Sequence, residues 1–385
     1  LVAIAALAAF GAQAQSTVTM SGIMDAGYQN IKNLGGQQTN QVGQNGARTT
    51  TLKLNGTEDL GGGQTANFQF EVQPSIIAGN GNAFSATYAA GTTLAASTNG
   101  NAQSTNAASA QSGLVGKGQS FVGLTDAKYG TVQFGTINTA TFGAFAAVSQ
   151  LGTGIGSGYG SGNTFGDITR VESSAAYKSP SIAGFDFSIL KGTNNDSQFG
   201  VKGSTATGVT LRRPAVTDFG IGYANGPLAV KFGRLESKAT ANESSNTSVI
   251  TKTQLLGGSY DAGVAKFSLA TGSIKNTAAT TPADYKLSVA AVTVPFGANR
   301  VIAQTGSVKI DNGASTSVIV GAKSKTSGIA FERDLSKRTY AYVRYESTDL
   351  GGFAAAAYYV NGAALSNWNN GSTRKVTSVG LSHAF

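Results

Sequence analysis

Two runs of alternating apolar and polar residues meet at a glycine-rich turn in Leu52-Lys-Leu-Asn-Gly-Thr-Glu-Asp-Leu-Gly-Gly-Gly-Gln-Thr-Ala-Asn-Phe-Gln-Phe-Glu-Val72. Alternation with a period of two is typical of a β-strand whose two faces meet different surroundings. Gly61–Gly63 suit the positive φ angles of a tight hairpin. The polar side carries lysine, asparagine, glutamine and glutamate. A face of this composition is too polar to pack in a protein core. A hairpin with one apolar and one watery face is the repeating unit of a transmembrane β-barrel.

The composition suits a barrel and excludes several other classes of protein. The 385 residues include 52 glycines, 19 phenylalanines and 13 tyrosines, but 6 prolines and no cysteine. The lack of cysteine excludes disulfide scaffolds and zinc–thiolate sites. The single histidine, His383, falls on an outward position beside Phe385 with no nucleophile to partner it. We therefore expect no cofactor, no metal and no enzymatic activity.

The first residues resemble a targeting signal. Leu1–Phe10 form an apolar run, and Ala12-Gln13-Ala14 matches a signal-peptidase cleavage pattern. The run is too short to span a bilayer, which takes about 20 residues. We expect residues 1–14 to be a truncated signal peptide and residues 15–385 to be a single transmembrane β-barrel domain.

Alternating runs continue to the end of the chain and are separated by two kinds of connection. Seven short turns each join two strands, and the first and last strands bring the total to about 16, an even number as bacterial barrels require. Short turns alternating with long loops predict periplasmic turns and external loops. We assign residues 316–328 to a loop, although Val318–Val320 would also fit a strand. The turns are 58–63, 127–130, 179–184, 225–227, 261–263, 295–299 and 334–338; the loops are 32–46, 76–118, 138–168, 192–216, 239–248, 274–283, 311–324 and 348–372.

Neither the loops nor the net charge indicates a nucleotide or nucleic-acid site. Residues 76–118 are small and almost uncharged, and the glycine-rich run 152–162 lacks the Lys-Ser/Thr ending of a phosphate-binding loop. The net charge of +9 comes from 28 basic and 19 acidic residues that are scattered rather than clustered. Scattered positive charge inside a pore favours anions.

Alternation also predicts which charges line the lumen. If the apolar residues face outward, the inner face holds six basic and five acidic residues. Alternation predicts that Tyr340 and Tyr342 also face inward. We expect Lys53, Arg170 and Arg344 to face a third loop without carboxylates, which gives modest anion preference. The alternative is that each pairs with a carboxylate of the wall. The eleven inner charges are Asp25, Lys53, Glu71, Arg170, Glu172, Lys231, Lys266, Lys286, Glu332, Arg344 and Glu346; Arg48 and Arg170 fall where strands meet loops.

Several short motifs resemble the trimeric general porins of the Gram-negative, beta-proteobacterial outer membrane. The resemblance implies a sixteen-stranded homotrimer of water-filled pores in contact with outer-membrane lipid and lipopolysaccharide, with the third loop (138–168) folded inward. It also implies that Phe385 is read by the barrel-assembly machinery. The motifs are Gly56–Gly63 with Ala66–Glu71, Phe121–Leu124 with Tyr129–Gly135, Tyr177–Pro180 with Gly184-Phe185, Leu335–Thr339, and Gly380–Phe385.

The sequence departs from this family at its constriction. The resemblance places family arginines at Thr51 and Thr136, and its acidic third loop is here uncharged from Asn138 to Gly166. We expect Arg48, Thr51, Lys53, Thr136, Arg170 and Arg344 to line the constriction. The predicted function is passive diffusion of ions and small hydrophilic or anionic solutes. The alternatives are a substrate-specific uptake channel, and a surface adhesin or structural barrel that binds a partner through its loops.

Overall fold

A computed structural model describes most of the barrel and part of its loops. Predictions for residues 1–14, for 78–117 and for 160–162 of the glycine-rich run lie outside the described residues. The described residues are 16–32, 38–77, 118–159, 168–192, 215–240, 248–277, 283–313, 320–349, 359–360, 363–364 and 373–385.

The described chain is nearly all β, and its strands pair antiparallel with their sequence neighbours. One helix, α1, interrupts the order between β6 and β7. Among the described residues, no helix is long and apolar enough to cross a membrane. The elements are β1 (Thr17–Lys32), β2 (Gln38–Gln44), β3 (Thr51–Gly61), β4 (Gln64–Val72), β5 (Ser120–Asp126), β6 (Gly130–Asn138), α1 (Ala140–Val148), β7 (Arg170–Lys178), β8 (Phe185–Gly192), β9 (Ala215–Asn225), β10 (Leu228–Thr240), β11 (Ser248–Asp261), β12 (Lys266–Asn276), β13 (Ala283–Phe296), β14 (Asn299–Gly313), β15 (Lys323–Asp334), β16 (Thr339–Asp349), β17 (Tyr359–Val360), β18 (Ala363–Ala364) and β19 (Thr373–Ala384).

The sheet closes on itself through its first and last strands. β19 pairs with β16 on one edge and with β1 on the other, from Ile23 opposite Ala384 to Lys32 opposite Lys375. On its second edge, β1 pairs with β2 along its later half and with β3 along its earlier half, so β2 and β3 share one barrel position. The predicted sixteen-stranded antiparallel barrel is therefore confirmed. Closure leaves no sheet edge and pairs the backbone groups in lipid.

The outward faces carry the predicted apolar residues. Val18, Met20 and Tyr28 are 68%, 64% and 55% exposed on β1, while Asp25 on the same strand is fully buried. Aromatic pairs gather near the short-turn end of the strands, as in the girdles of outer-membrane barrels; they include Phe185 with Tyr223 and Phe296 with Phe331, at ring distances of 4.5 and 6.3 Å. The tight turn at Gly62 and Gly63 uses φ angles of 63° and 84°, which favour glycine.

Four sequence-based expectations are wrong in detail. Residues 38–44 form β2 instead of loop, and β15 begins at Lys323, inside the predicted loop 316–328. Lys286 is exposed on the outer face, since its neighbours Tyr285 and Leu287 are buried inside. Glu172 is also exposed, next to buried Val171. A bulge that leaves Ser173 at φ 49° shifts the alternation of β7 by one residue.

Candidate pore constriction

The third loop begins where β6 ends, and α1 lies on the inner wall of the barrel. Thr139 caps the helix by accepting a hydrogen bond from the backbone N–H of Phe142 at 3.1 Å. Glycines make room for the helix on the wall: a Cβ at Gly233 would lie 2.5 Å from the Thr141 backbone, and one at Gly257 would lie 2.7 Å from Val148. Glycine at these two positions therefore leaves the space on the wall that the helix occupies.

An apolar patch of the wall receives the buried side of α1. Ala144, Phe145 and Val148 are at most 1% exposed and pack against Leu255, Ala270 and Val289 from β11, β12 and β13. Phe142 and Tyr159 complete this packing. Burial raises the pKa of the Tyr159 hydroxyl, which hydrogen-bonds to Thr169. The inner wall is apolar beneath the loop because it packs against protein there and not against water.

A wall carboxylate holds the N-terminus of α1. Asp218 of β9 is 2% exposed and accepts a hydrogen bond from the backbone N–H of Ala140 at 2.5 Å. The first N–H groups of a helix lack partners within the helix and carry partial positive charge, so a carboxylate is stabilising there.

Gln304 and Arg344 bind the part of the third loop that follows α1. Gln304 of β14 accepts from the N–H of Leu151 at 3.2 Å and donates to the carbonyl of Ser157 at 2.9 Å. Arg344 of β16 donates to the carbonyls of Leu151 and Ile155 at 3.0 and 3.3 Å. The loop is therefore bound at both ends and crosses the lumen from β9 to β16.

Residues 45–50, between β2 and β3, form the last surface of the wall that the third loop contacts. The Asp25 carboxylate accepts from the backbone N–H of Ala47 and Arg48 at 3.2 and 3.0 Å, and from the Tyr342 hydroxyl at 3.0 Å. Because Asp25 faces inward, it folds residues 45–50 into the lumen. There the Thr49 hydroxyl lies 3.0 Å from that of Thr153, and Ile155 N–H donates to the Gly46 carbonyl at 2.9 Å.

The structure brings two of the predicted basic residues together on one carboxylate. The Lys53 ammonium lies 3.3 Å from Glu71, and the Arg170 guanidinium lies 4.0 Å from the same group. Arg48 is exposed on the inward segment and forms no ion pair within the described part of the chain. Thr51 is 5% exposed on the wall, and Thr136 is half-buried at the end of β6.

Arg344 occupies a different setting from the other predicted residues. Its side chain is 3% exposed and lies 2.6 Å from Glu332, beneath the third loop. Its charge is held by a carboxylate and by loop carbonyls instead of facing open water. The alternative considered from the sequence, in which wall cations pair with wall carboxylates, fits the geometry of Lys53, Arg170 and Arg344.

Sequence reasoning missed several charged residues of the wall, among them Arg300, Arg374 and Asp218. Arg300 lies 2.6 Å from Glu332, and Arg374 lies 3.0 Å from Glu346. Glu346 also accepts from the N–H of Gly156 at 2.7 Å. Arg374 and Asp218 stand just before the alternating runs by which β19 and β9 were recognised. Arg300 shares the inner face of β14 with Ile302, which is apolar and 3% exposed, so a rule that places apolar residues outward assigns this strand the wrong way round.

A closed sixteen-stranded barrel with an apolar belt, a polar lumen and an inward loop defines an outer-membrane diffusion channel. Residues 1–352 match the family described as Gram-negative porin, and the chain belongs to this family. An outer membrane porin protein of Bordetella pertussis is 30% identical over 70% of this chain and 68% of its own. Outer membrane porin protein 32 of Delftia acidovorans is 26% identical over 100% and 99% of the two chains.

Solved structures show the same fold. The anion-selective porin from Comamonas acidovorans superposes with a TM-score of 0.67 at 21% identity, over 96% of this chain and 100% of that one. The trimer form of OmpT from Vibrio cholerae gives a TM-score of 0.62 at 12% identity, over 96% and 99%. The protein is thus an outer-membrane porin that forms a channel for passive diffusion.

Proposed function

We propose that the channel is a general, non-saturable pore with modest anion preference and that it works as a homotrimer. The lumen of a barrel of this size is too wide for side chains to fill, so it holds water. Solutes then diffuse down their gradients, and the width of the pore and the field of its wall select among them.

One observation carries the anion preference: every buried carboxylate among the described residues already has a partner. Glu71, Glu332 and Glu346 lie against lysine or arginine. Asp25 and Asp218 accept backbone N–H groups. The described part of the third loop, 139–159, contains no charged residue. We therefore assign the field at the constriction to the exposed cations there.

Arg48 and Lys53 are the cations that we expect ions to meet. Arg48 is exposed on the segment that folds into the lumen, and Lys53 retains 36% exposure beside Glu71, which it shares with Arg170. The Comamonas porin with the similar fold is described as anion-selective, which agrees with this proposal. Thr51 and Thr136 are proposed to widen the constriction, because a threonine fills less space than an arginine.

The outer surface supports a trimer. On the β1–β5 side the exposed apolar residues continue toward the loop end, where Tyr28 lies opposite Val42 and both are more than half exposed. Apolar side chains in this position are suited to packing against a neighbouring barrel. OmpT of Vibrio cholerae, an outer membrane protein of similar fold, has been solved in a trimer form.

We also propose the two partners that the outer membrane supplies during assembly. Phe385 ends the strand that closes the barrel, and its backbone pairs with Gly22 in both directions at 3.1 and 3.2 Å. A terminal strand that closes the barrel is a suitable signal for the assembly machinery. Lipopolysaccharide would surround the folded trimer at its outer rim.

The test is the zero-current potential of the purified protein in a planar bilayer under a potassium chloride gradient. We expect a potential that favours chloride, and conductance steps in groups of three. Arg48→Gln should lower the chloride-to-potassium permeability ratio about two- to fivefold, because a unit charge roughly 8 Å from an ion contributes about 0.5 kcal/mol in water, with opposite sign for the two ions, and salt screens part of it. Lys128→Gln, at an exposed periplasmic turn, is the matched control and should change nothing.

Three results would count against the proposal. A potential that favours potassium would refute the anion preference. A current that saturates with one solute would indicate a specific uptake channel. A folded barrel that gives no steps would indicate a structural or adhesive role.

A further inference from the structure

One position of the barrel wall is interrupted where the third loop contacts it. Ala26 of β1 pairs with Gln44 at the end of β2, and Ile23 of β1 pairs with Thr51 at the start of β3. Between these two pairs β1 spans two residues, whereas its neighbour spans six. Extra residues in one strand bend it and re-aim its side chains, and they are over-represented beside functional sites. We call residues 45–50 the inward bulge.

The inward bulge buries its backbone anchors and exposes one cation. Ala47 and Thr50 are 2% and 0% exposed, whereas the side chain of Arg48 between them is exposed. Arg48 forms no ion pair with any residue of the described chain. Its backbone N–H, however, donates to the Asp25 carboxylate at 3.0 Å. The place of this charge in the lumen is therefore set by the backbone of the bulge and not by a partner of the guanidinium.

The chain turns into the lumen at Asn45. The N–H of Asn45 donates to the carbonyl of Asp25 at 3.1 Å, which is the same residue of β1 whose carboxylate holds the middle of the bulge. Asn45 has a φ of 63°. This left-handed conformation is uncommon for residues other than glycine, and asparagine is among the few that adopt it readily. The direction in which the bulge leaves β2 therefore depends on Asn45.

The side chain of Asn45 also closes the bulge. Its Oδ1 atom accepts a hydrogen bond from the backbone N–H of Thr50 at 2.7 Å. The Thr50 hydroxyl donates to the carbonyl of Asp25 at 3.3 Å and accepts from the N–H of Asp25 at 3.2 Å. The two ends of the bulge are thus joined to each other and to one residue of β1, which holds the segment between them in one shape.

Asparagine combines three properties that this position needs. Glycine adopts the left-handed conformation but offers no acceptor to Thr50. Aspartate offers the acceptor, but its negative charge would offset that of Arg48 three residues away. Alanine would be strained at this φ and would also lose the bond to Thr50. Asparagine alone among these residues is compatible with the turn, makes the bond and stays neutral.

We propose that Asn45 is a specificity-determining residue of the channel, which acts by positioning Arg48 in the path of permeating ions. The proposal rests on the proposed function, in which Arg48 contributes to the anion preference. It adds that the preference depends on a neutral residue that carries no charge of its own and that joins the two ends of the inward bulge.

The test compares the zero-current potentials of Asn45→Gly, Arg48→Gln and the double variant under a potassium chloride gradient. Glycine keeps the turn and removes the bond to Thr50, so the bulge loosens. If Arg48 then lies roughly 4 Å further from the ions, its screened interaction falls by about half, and the chloride-to-potassium permeability ratio should fall about 1.5- to twofold. The double variant should match Arg48→Gln, because both changes act through one charge. The matched control is Asn225→Gly at the exposed short turn 225–227, which should leave the ratio unchanged.

A second measurement follows the position of residue 48 without relying on selectivity. The chain has no cysteine, so Arg48→Cys provides a single site for a nitroxide spin label. The spectrum of the folded barrel should show a more mobile label when Asn45→Gly is added. Adding Asn225→Gly should leave the spectrum unchanged.

The outcomes separate this proposal from the proposed function. If Arg48→Gln lowers the permeability ratio and Asn45→Gly does not, the role of Asn45 is refuted and the anion preference stands. If Asn45→Gly lowers the ratio equally with and without Arg48, it acts on another charge and the proposal is wrong. An unchanged label mobility would refute the positioning of residue 48 by Asn45. A wild-type ratio in Arg48→Gln would instead refute the role of Arg48 in the proposed function.

Discussion

Gln304→Ala should loosen the third loop without changing any charge. Gln304 is 4% exposed on the inner face of β14 and contacts the loop through both atoms of its amide. It accepts from Leu151 N–H at 3.2 Å and donates to the Ser149 hydroxyl and the Ser157 carbonyl, at 3.1 and 2.9 Å. Alanine keeps the strand and removes all of these bonds. The variant therefore separates the position of the loop from the electrostatics of the wall.

The size of the effect follows from the number of bonds lost. A protein hydrogen bond contributes about 0.5–1.5 kcal/mol net, so three bonds correspond to roughly 2–4 kcal/mol of loop docking. Water in the lumen can solvate the freed groups, so the lower end of this range applies. The bonds from Arg344 to Leu151 and Ile155 and the packing of α1 remain. We therefore expect partial release of residues 149–157, with the helix still in place.

Single-channel recording in potassium chloride measures this release. Gln304→Ala should show higher mean conductance and more open-channel noise than the wild type, with an almost unchanged zero-current potential. Gln254→Ala is the matched control, because Gln254 is exposed on the outer face of β11 and should have no effect. Wild-type conductance and noise in Gln304→Ala would refute the idea that this residue holds the loop.

Two further changes test other contacts of the constriction. Gly233→Val should displace α1, because even a Cβ there would lie 2.5 Å from the Thr141 backbone; single-channel conductance should change markedly, and an unaltered value would show that the helix does not lie on β10. Asp25→Asn should destabilise the folded barrel by about 1–3 kcal/mol, since an amide cannot accept all the hydrogen bonds that Ala47, Arg48 and Tyr342 donate. The temperature at which the folded band disappears on a semi-native gel should fall, and an equal temperature would contradict the assigned role of Asp25.

Alternation alone predicted the barrel, because most of the outer face meets lipid and is apolar. It predicted Val18, Met20 and Tyr28 as outward and Asp25 as inward, and the structure agrees. The strand ends near the long loops were predicted too short, as at β15, because small polar residues such as Ser324 and Ser327 give no alternating signal. The ends of the strands near the long loops therefore cannot be located from the sequence alone.

The assumption that apolar residues face outward failed where the third loop covers the wall. Leu287 and Val289 on β13 are apolar and buried inside, since the loop replaces water there. The alternation of β13 was consequently assigned the wrong way round, and Lys286 was placed in the lumen. A single sequence does not show which part of the wall a loop will cover. This depends on contacts between residues far apart in the chain.

Contacts between residues far apart in the chain also limited the prediction of the constriction. Lys53, Arg170 and Arg344 were selected by alternation, but their partners Glu71 and Glu332 come from other strands, and register decides the pairing. Residues 45–50, which contact the third loop, were assigned partly to the predicted loop 32–46. Nothing local in the sequence indicates that Asp25 folds this segment inward.

The measurement that tests the central claim most directly is a cross-link between the third loop and the wall. The Thr49 and Thr153 hydroxyls lie 3.0 Å apart, and the chain has no cysteine of its own. Side chains this close suit the short Cβ separation of a disulfide. In Thr49→Cys/Thr153→Cys, we expect the disulfide to form in the folded barrel under air oxidation, with single-channel conductance close to that of the wild type. Free thiols in a folded, conducting barrel would contradict the account, because the loop would then not lie against this part of the wall.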